Sequence, residues 1–274
     1  MKIVSSGRVL NSREFYEKKK RKRRIRVVLL SVAFISVVSL FVYFFRQEQF
    51  LIVEVVLLGE NVVDKEKIGQ TAKRLLDGYH LWVIPRANTL FYPRRVIKQS
   101  LIEGFPRLKS VDLDLDEQQR LLITVNERIP FALYCRSTSE CFFLDEEGFI
   151  FANAPSFSSG VYFIYTTEDS LENPVGERIV PIEEFEKLSE FIETLTVLNI
   201  YPVGLEVSRG EYRLLLPTGG KILWRRDTDL TLIYANLEAF LANDSIRAQS
   251  DFLNKISHLD LTTKNKIRWS FFKN

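Results

Sequence analysis

Histidine and cysteine are scarce in this chain, two of each in 274 residues, and their placement excludes most of the chemistry that depends on them. His80 and His258 lie far apart, and Cys135 and Cys141 form no C-x-x-C pair, so neither a zinc-ligand spacing nor a cysteine–histidine nucleophile is laid out. H-E-x-x-H, G-x-S-x-G and G-x-x-x-x-G-K are absent too. Carboxylates are plentiful, but no pattern sets two of them across a cleft. The sequence therefore reads as non-enzymatic, with no catalytic residue, no metal ligand set and no cofactor.

Charge is missing from one long stretch. Val27 to Phe45 holds no charged residue, and a helix over 25–45 at about 1.5 Å per residue is about 30 Å long, the thickness of a bilayer's hydrocarbon core. Immediately before it, Lys18, Lys19, Lys20, Arg21, Lys22, Arg23, Arg24 and Arg26 make a dense basic run. Basic residues beside a first span stay on the cytoplasmic side. The expected organisation is a cytoplasmic tail over 1–24, a transmembrane helix over 25–45 and the rest outside the cytoplasm. A cleaved signal peptide is the rival, but its apolar region is shorter, about 7–15 residues, and ends in small residues; this one closes with Tyr43, Phe44 and Phe45. Basic clusters also bind nucleic acid or anionic lipid, yet beside an uncharged span topology is the simpler cause. Ser31, Ser36 and Ser39 inside the span suit either a helix–helix contact or plain tolerance of small polar residues.

The net charge of +3 conceals two unlike parts. The first 26 residues carry eleven Lys or Arg against two Glu, a net +9, which leaves −6 for the remainder. That acidic balance argues against a nucleic-acid partner. The outer portion is long enough for one large or two ordinary domains. Both cysteines fall there, in a strand–turn–strand stretch from Phe131 to Asp145, where an oxidising compartment permits a Cys135–Cys141 bridge and two reduced, buried thiols are the alternative.

Taken in order, Phe50 to Leu58 predicts a buried strand and Gly59-Glu60-Asn61 a turn. Asp64 caps a helix whose Ile68, Ala72, Leu75 and Leu76 share a face. A second helix fits Thr89 to Glu103, with Pro93 in its first turn and Val96, Ile97 and Leu101 inward. Val111, Leu113 and Leu115 then alternate with Asp112, Asp114 and Asp116, and a Glu117-Gln118-Gln119 turn leads into Leu121, Ile123 and Val125. Those aspartates lie about 7 Å apart along the strand, too far to converge on calcium unaided, and read as a solvated face. Further on, short strands are expected at Phe142 to Leu144, Phe149 to Ala152, Val161 to Tyr165, Gly204 to Val207, Tyr212 to Leu216, Ile222 to Trp224, His258 to Leu261 and Ile267 to Phe272. Helices are expected from Pro181, with Phe185, Leu188, Ile192 and Leu195 on one face, and over Leu230 to Ala242.

Five segments carry a resemblance. Leu57-Leu58-Gly59-Glu60-Asn61 resembles the strand-then-"G-N" opening of a polypeptide-transport-associated (POTRA) domain, and the resemblance extends to Phe105-Pro106-Arg107-Leu108. Leu122-Ile123-Thr124-Val125-Asn126-Glu127-Arg128-Ile129-Pro130 resembles the "L-x-I-x-V-x-E-R-x-P" signature of the FtsQ/DivIB family of bacterial division proteins. Leu144-Asp145-Glu146-Glu147-Gly148-Phe149-Ile150-Phe151 is similar to that family's "D-x-x-G" turn. Leu259-Asp260-Leu261 resembles its "D-L-R" ending, with Thr262 where the family has arginine, and Trp269 stands in the final strand as an aromatic often does there.

The resemblance implies an α+β fold: a single anchor helix, a POTRA domain (β-α-α-β-β) over 50–128, and a mixed β-rich domain with two helices over 129–274. It also implies a bitopic scaffold at the division site of the cytoplasmic membrane, docking FtsB-like and FtsL-like single-span proteins and other divisome components upstream of septal peptidoglycan synthesis. Strand addition to the last strand would supply the contact. Ile267, Trp269 and Phe271 alternate there with Arg268, Ser270 and Phe272, one face packing inside and the other meeting the partner, unless all belong to the core. Glu127, Arg128 and Pro130 fall where the two outer domains join, and suit an ion pair or hydrogen bonds fixing the domain angle better than a ligand site. The alternatives are a POTRA-bearing secretion or envelope-assembly factor, whose barrel strands about 120 mixed residues cannot supply, and a membrane-anchored envelope enzyme.

Overall fold

The computed structural model describes residues 13–272 except 60–62, 81, 157–159, 250 and 265; the Glu60-Asn61 part of the predicted turn lies outside the described residues. The fold is mixed α+β, with one long apolar helix near the N-terminus and a large β-sheet.

Helix α1 (Arg13–Phe45) has 33 residues and is long and apolar enough to cross a membrane. It begins well before residue 25. Lys, Arg and Glu are good helix formers and nothing between Arg13 and Arg26 breaks the ladder, so the basic run is helical.

A short 3₁₀ turn (Glu48–Phe50) leads to β1 (Glu54–Leu58). The strand is shorter and less buried than the apolar run suggested, because it lies at an edge of its sheet. Asp64 caps α2 (Lys65–Leu76) by accepting hydrogen bonds from the Glu66 and Lys67 amides, and Ile68, Ala72 and Leu76 are buried. Strands β2 (Tyr79–His80) and β3 (Ile84–Pro85) form a small hairpin absent from the sequence expectation.

Helix α3 (Arg94–Gly104) starts after Pro93, whose carbonyl accepts its first bond from Ile97, so residues 89–93 precede the helix, with 89–91 in a turn. Ile97 and Leu101 are buried, while Val96 is exposed rather than inward. Strands β4 (Leu108–Leu115) and β5 (Arg120–Glu127) keep the expected alternation. Asp112 and Asp114 face outward and meet Lys98 and Arg94 at 2.8 and 4.0 Å. The three strands are ordered β1-β5-β4, with β1 parallel to β5.

Then come β6 (Ala132–Cys135), β7 (Cys141–Leu144), β8 (Ile150–Asn153), β9 (Ile164–Thr167), α4 (Ile182–Thr194), β10 (Gly204–Val207), β11 (Glu211–Leu215) and β12 (Lys221–Arg225). They are followed by α5 (Leu230–Ala242), α6 (Asp244–Arg247), α7 (Phe252–Lys255), β13 (Ile256–Asp260) and β14 (Arg268–Phe271). Four helices stand where two were expected. The polar stretch after Ala242 hides α6 and then α7, each one turn long with a single buried apolar anchor, Ile246 and Phe252.

All nine strands join one sheet in the order β14-β13-β12-β11-β10-β9-β6-β7-β8. β9 runs parallel to both β6 and β10 and so joins the antiparallel β6-β7-β8 group to β10–β14, in which β12 and β13 also pair in parallel. The core on this sheet is built from Tyr134, Leu144, Tyr165, Phe185, Leu205, Trp224, Ile233 and Leu259 among others. By internal contacts the chain divides into one unit of 1–58, 64–98 and 112–124 and another of 59–63, 99–111 and 125–274.

Candidate functional site

β14 pairs antiparallel with β13 through Ile256↔Phe271, His258↔Ser270, Leu259↔Trp269 and Asp260↔Arg268. As the first strand in the sheet order, it has no strand partner on its outer side among the described residues. A strand so placed offers a row of free backbone donors and acceptors. Ile267 and Phe272 flank the strand rather than lying in it.

The turn into this edge is fixed by Asp260, whose Oδ1 accepts from the Thr262 amide at 2.8 Å and the Thr262 hydroxyl at 2.6 Å. Thr262 thus closes the turn through both its amide and its hydroxyl. Burial alone would raise the Asp260 carboxyl, but the hydrogen bonds from Thr262, with the charges of Arg268 and His258, hold it below its ordinary value.

The sequence expectation gave each face of this strand an aromatic, one in the core and one for a partner. Trp269 and Phe271 share a face and are 44% and 43% exposed, while their rings still touch the interior. Trp269 lies 5.3 Å from Phe240 of α5, and Phe271 lies 5.8 Å from Phe252 of α7, centroid to centroid. Ile267 packs against the core at the same end. Phe272 is 47% exposed, with its amide bonded to the Lys255 carbonyl. An aromatic ledge, half in and half out, therefore runs along an open sheet edge. Rings already held by neighbours lose little freedom when a partner covers them.

The other face is polar. Ser270 Oγ lies 2.8 Å from His258 Nδ1 and 2.6 Å from Ser257 Oγ. Sequence reading missed this cluster, because His258 and Ser270 meet only through strand register. A serine–histidine contact alone does not make a nucleophile: no carboxylate hydrogen-bonds the imidazole among the described residues, so nothing orients it as a base.

The Glu127-Arg128 signature has well-defined partners in the second unit. Glu127 accepts from Arg107 Nε at 3.0 Å and from the Val63 amide at 3.0 Å. Arg128 is buried and donates to Asp145, which is 0% exposed. Its Nε reaches the Pro106 carbonyl at 3.2 Å, and its guanidinium lies 4.2 Å from the Phe149 ring centroid. Pro130 is half-buried in the link to β6. Asp145 also closes its own turn, its Oδ1 accepting from the Glu147 and Phe149 amides at 2.9 Å. Gly148 completes that turn at φ +71°, where a Cβ would lie 2.7 Å from the Phe185 ring. The E-R and D-x-x-G signatures are thus two halves of one buried ion pair. Both charges are spent on each other and on backbone groups.

Cys135 and Cys141 are joined by a disulfide, directly opposite each other across the β6–β7 pair. An open cleft of about 1200 Å3 lies between α4 and the start of α5, lined by Glu184, Lys187, Tyr212, Arg226 and Asp229 among others. Its central charge is already satisfied. Glu184 accepts from the Tyr212 hydroxyl and from Arg226 at 2.7 and 2.8 Å, and burial together with that carboxylate pushes the Tyr212 phenol well above its ordinary value. No group of His, Cys, Asp and Glu that could hold a metal occurs among the described residues. Compared with known proteins, the sequence matches no protein-family model and no curated protein.

Proposed function

We propose that this chain is a non-enzymatic, single-pass scaffold of the bacterial division machinery, of the FtsQ/DivIB kind. The observation that carries the reading is the open β14 edge with Trp269, Phe271 and Phe272 half-exposed along it. An extended segment of an FtsB-like or FtsL-like partner pairs with the free backbone of β14 while its side chains cover the aromatic ledge. The β-α-α-β-β order of the first elements, with β1 beside β5 and the β2–β3 hairpin inserted, supports reading residues 50–128 as a POTRA domain.

In this reading α1 anchors the chain in the cytoplasmic membrane with the basic run inside, and the remainder works beyond it at the division site. Sharing a membrane with its partners raises their effective concentration, so a weak contact suffices. The test replaces Trp269 and Phe272 with glutamate and measures capture of the FtsB-like partner by the folded protein. Loss of capture is expected; undiminished capture places the contact elsewhere. A reporter fused after Asn274 should read outside the cytoplasm and a fluorescent fusion should gather at midcell. A dispersed signal refutes the division role.

A further inference from the structure

The β2–β3 hairpin presents a tryptophan to solvent. Trp82, at the hairpin tip, is 94% exposed and holds a left-handed backbone at φ 66°. In water this arrangement is unfavourable twice over, through the bare indole and through a conformation that non-glycine residues avoid. A nearby second turn carries exposed Leu90 and Phe91.

Both tips are fastened to the end of α1. Arg46, the first residue beyond the helix, donates from Nε to the Val83 carbonyl at 3.0 Å, and its guanidinium lies 5.5 Å from the Tyr79 ring centroid. Val83 is next to Trp82, so the indole lies one residue from a contact with the boundary of the apolar span. Asn88 is 0% exposed, and its Nδ2 donates to the Phe45 carbonyl, an orphan acceptor of the last helical turn, at 2.9 Å. Asn88 Oδ1 accepts from the Leu90 amide at 3.0 Å, and the Phe91 ring lies 5.4 Å from that of Phe45. His80 Nε2 lies 3.0 Å from the Phe91 carbonyl and ties the two tips together.

We infer that Trp82, with Leu90 and Phe91, seats in the headgroup–acyl boundary of the bilayer that α1 crosses, forming a second membrane contact beside the span. Continuity with the span fixes the occupant. Any residue bonded to the Phe45–Arg46 end of a transmembrane helix lies at headgroup depth, where an indole is favoured for its apolar body and its N–H. Exposed Arg46 and Arg86 lie in the same segment and suit lipid phosphate. The contact restrains tilt and rotation of α1, since interfacial aromatic and basic residues set both.

The inference rests on α1 being an anchor, and the experiment separates the two claims. The full chain is reconstituted in phosphatidylcholine vesicles, with and without bromine on the acyl carbons nearest the headgroup, and compared with Trp82→Ala. Resistance to alkaline extraction reports the anchor. Trp82 is one of three tryptophans, so bromine should remove up to one tryptophan's share of wild-type emission beyond what it removes from Trp82→Ala, and iodide in the water should not reach that share. Trp82→Gly, which relieves the left-handed strain, serves as a second comparison should the alanine variant lose its circular dichroism. An extraction-resistant chain whose Trp82 emission is quenched by iodide and untouched by bromine overturns the inference alone, and a protein partner for this tip would give that result. A chain removed by alkali overturns the anchor and the inference together.

Discussion

Replacing Arg128 with alanine strands the carboxylate of Asp145, which has no exposed surface. Two backbone amides remain to Asp145 Oδ1, but the oxygen facing Arg128 loses its cation. Removing one partner of such a pair costs about 3–5 kcal/mol. Loss of the guanidinium from the Phe149 face adds about 0.5–2 kcal/mol. Domains of ordinary stability have about 5–15 kcal/mol in total, so the variant should be close to unfolding in its second unit. With a urea dependence of about 2 kcal/mol per molar, a loss of 3–5 kcal/mol lowers the unfolding midpoint by about 1.5–2.5 M. Fluorescence of Trp224, fully buried in that unit, reports the transition in detergent-solubilised protein. The pair Arg128→Met with Asp145→Asn should recover much of the loss, because no charge is then left buried and the amide oxygen still closes the turn. An Arg128→Ala midpoint within about 0.3 M of wild type would refute the argument: Asp145 would then have to reach water or another cation.

Three further outcomes follow from single positions. Reducing the Cys135–Cys141 bridge should cost about 2 kcal/mol, as expected for so short a loop, read as a lowered urea midpoint in dithiothreitol that a Cys135→Ala, Cys141→Ala variant does not show. The Asp260 carboxyl is held below its unfolded value, so its stabilising contribution is complete above about pH 4, near the ordinary carboxylate value, and is lost as pH falls through the folded value; Asp260→Asn should flatten the acid limb of stability against pH. Gly148→Ala meets both a positive φ and the Phe185 ring, and should destabilise by about 2–4 kcal/mol, whereas Gly210→Ala, with open space around it, should be nearly silent.

Where one periodicity dominated, the sequence was readable. The Asp64 cap followed by Ile68, Ala72 and Leu76 fixed α2, and alternation fixed β4 and β5. The failures have local causes. Val96 and Ile97 are adjacent and both apolar, so only packing decides that Ile97 turns in. One-turn helices such as α6 are too short to show a period. At the candidate site, the aromatic strand was legible as a strand. Its edge position entered only with the family resemblance, because strand order depends on pairings between distant segments, here including the parallel β12–β13 pair. The two charged signatures were each visible, but their partnership spans 17 residues and a change of strand; no local pattern encodes it. Ser270 and His258 meet across register for the same reason.

The long sheet is held very differently at its two extremities. Toward one, a covalent cross-link locks β6 to β7, so those rungs cannot separate without breaking a bond. Toward the other, the outermost rung is four residues long and is retained by reversible contacts alone. Amide protons should accordingly trade with deuterium in a gradient across the sheet, slowest beside the cross-link and fastest at β14. Transient fraying would then concentrate at the edge where partner pairing is proposed.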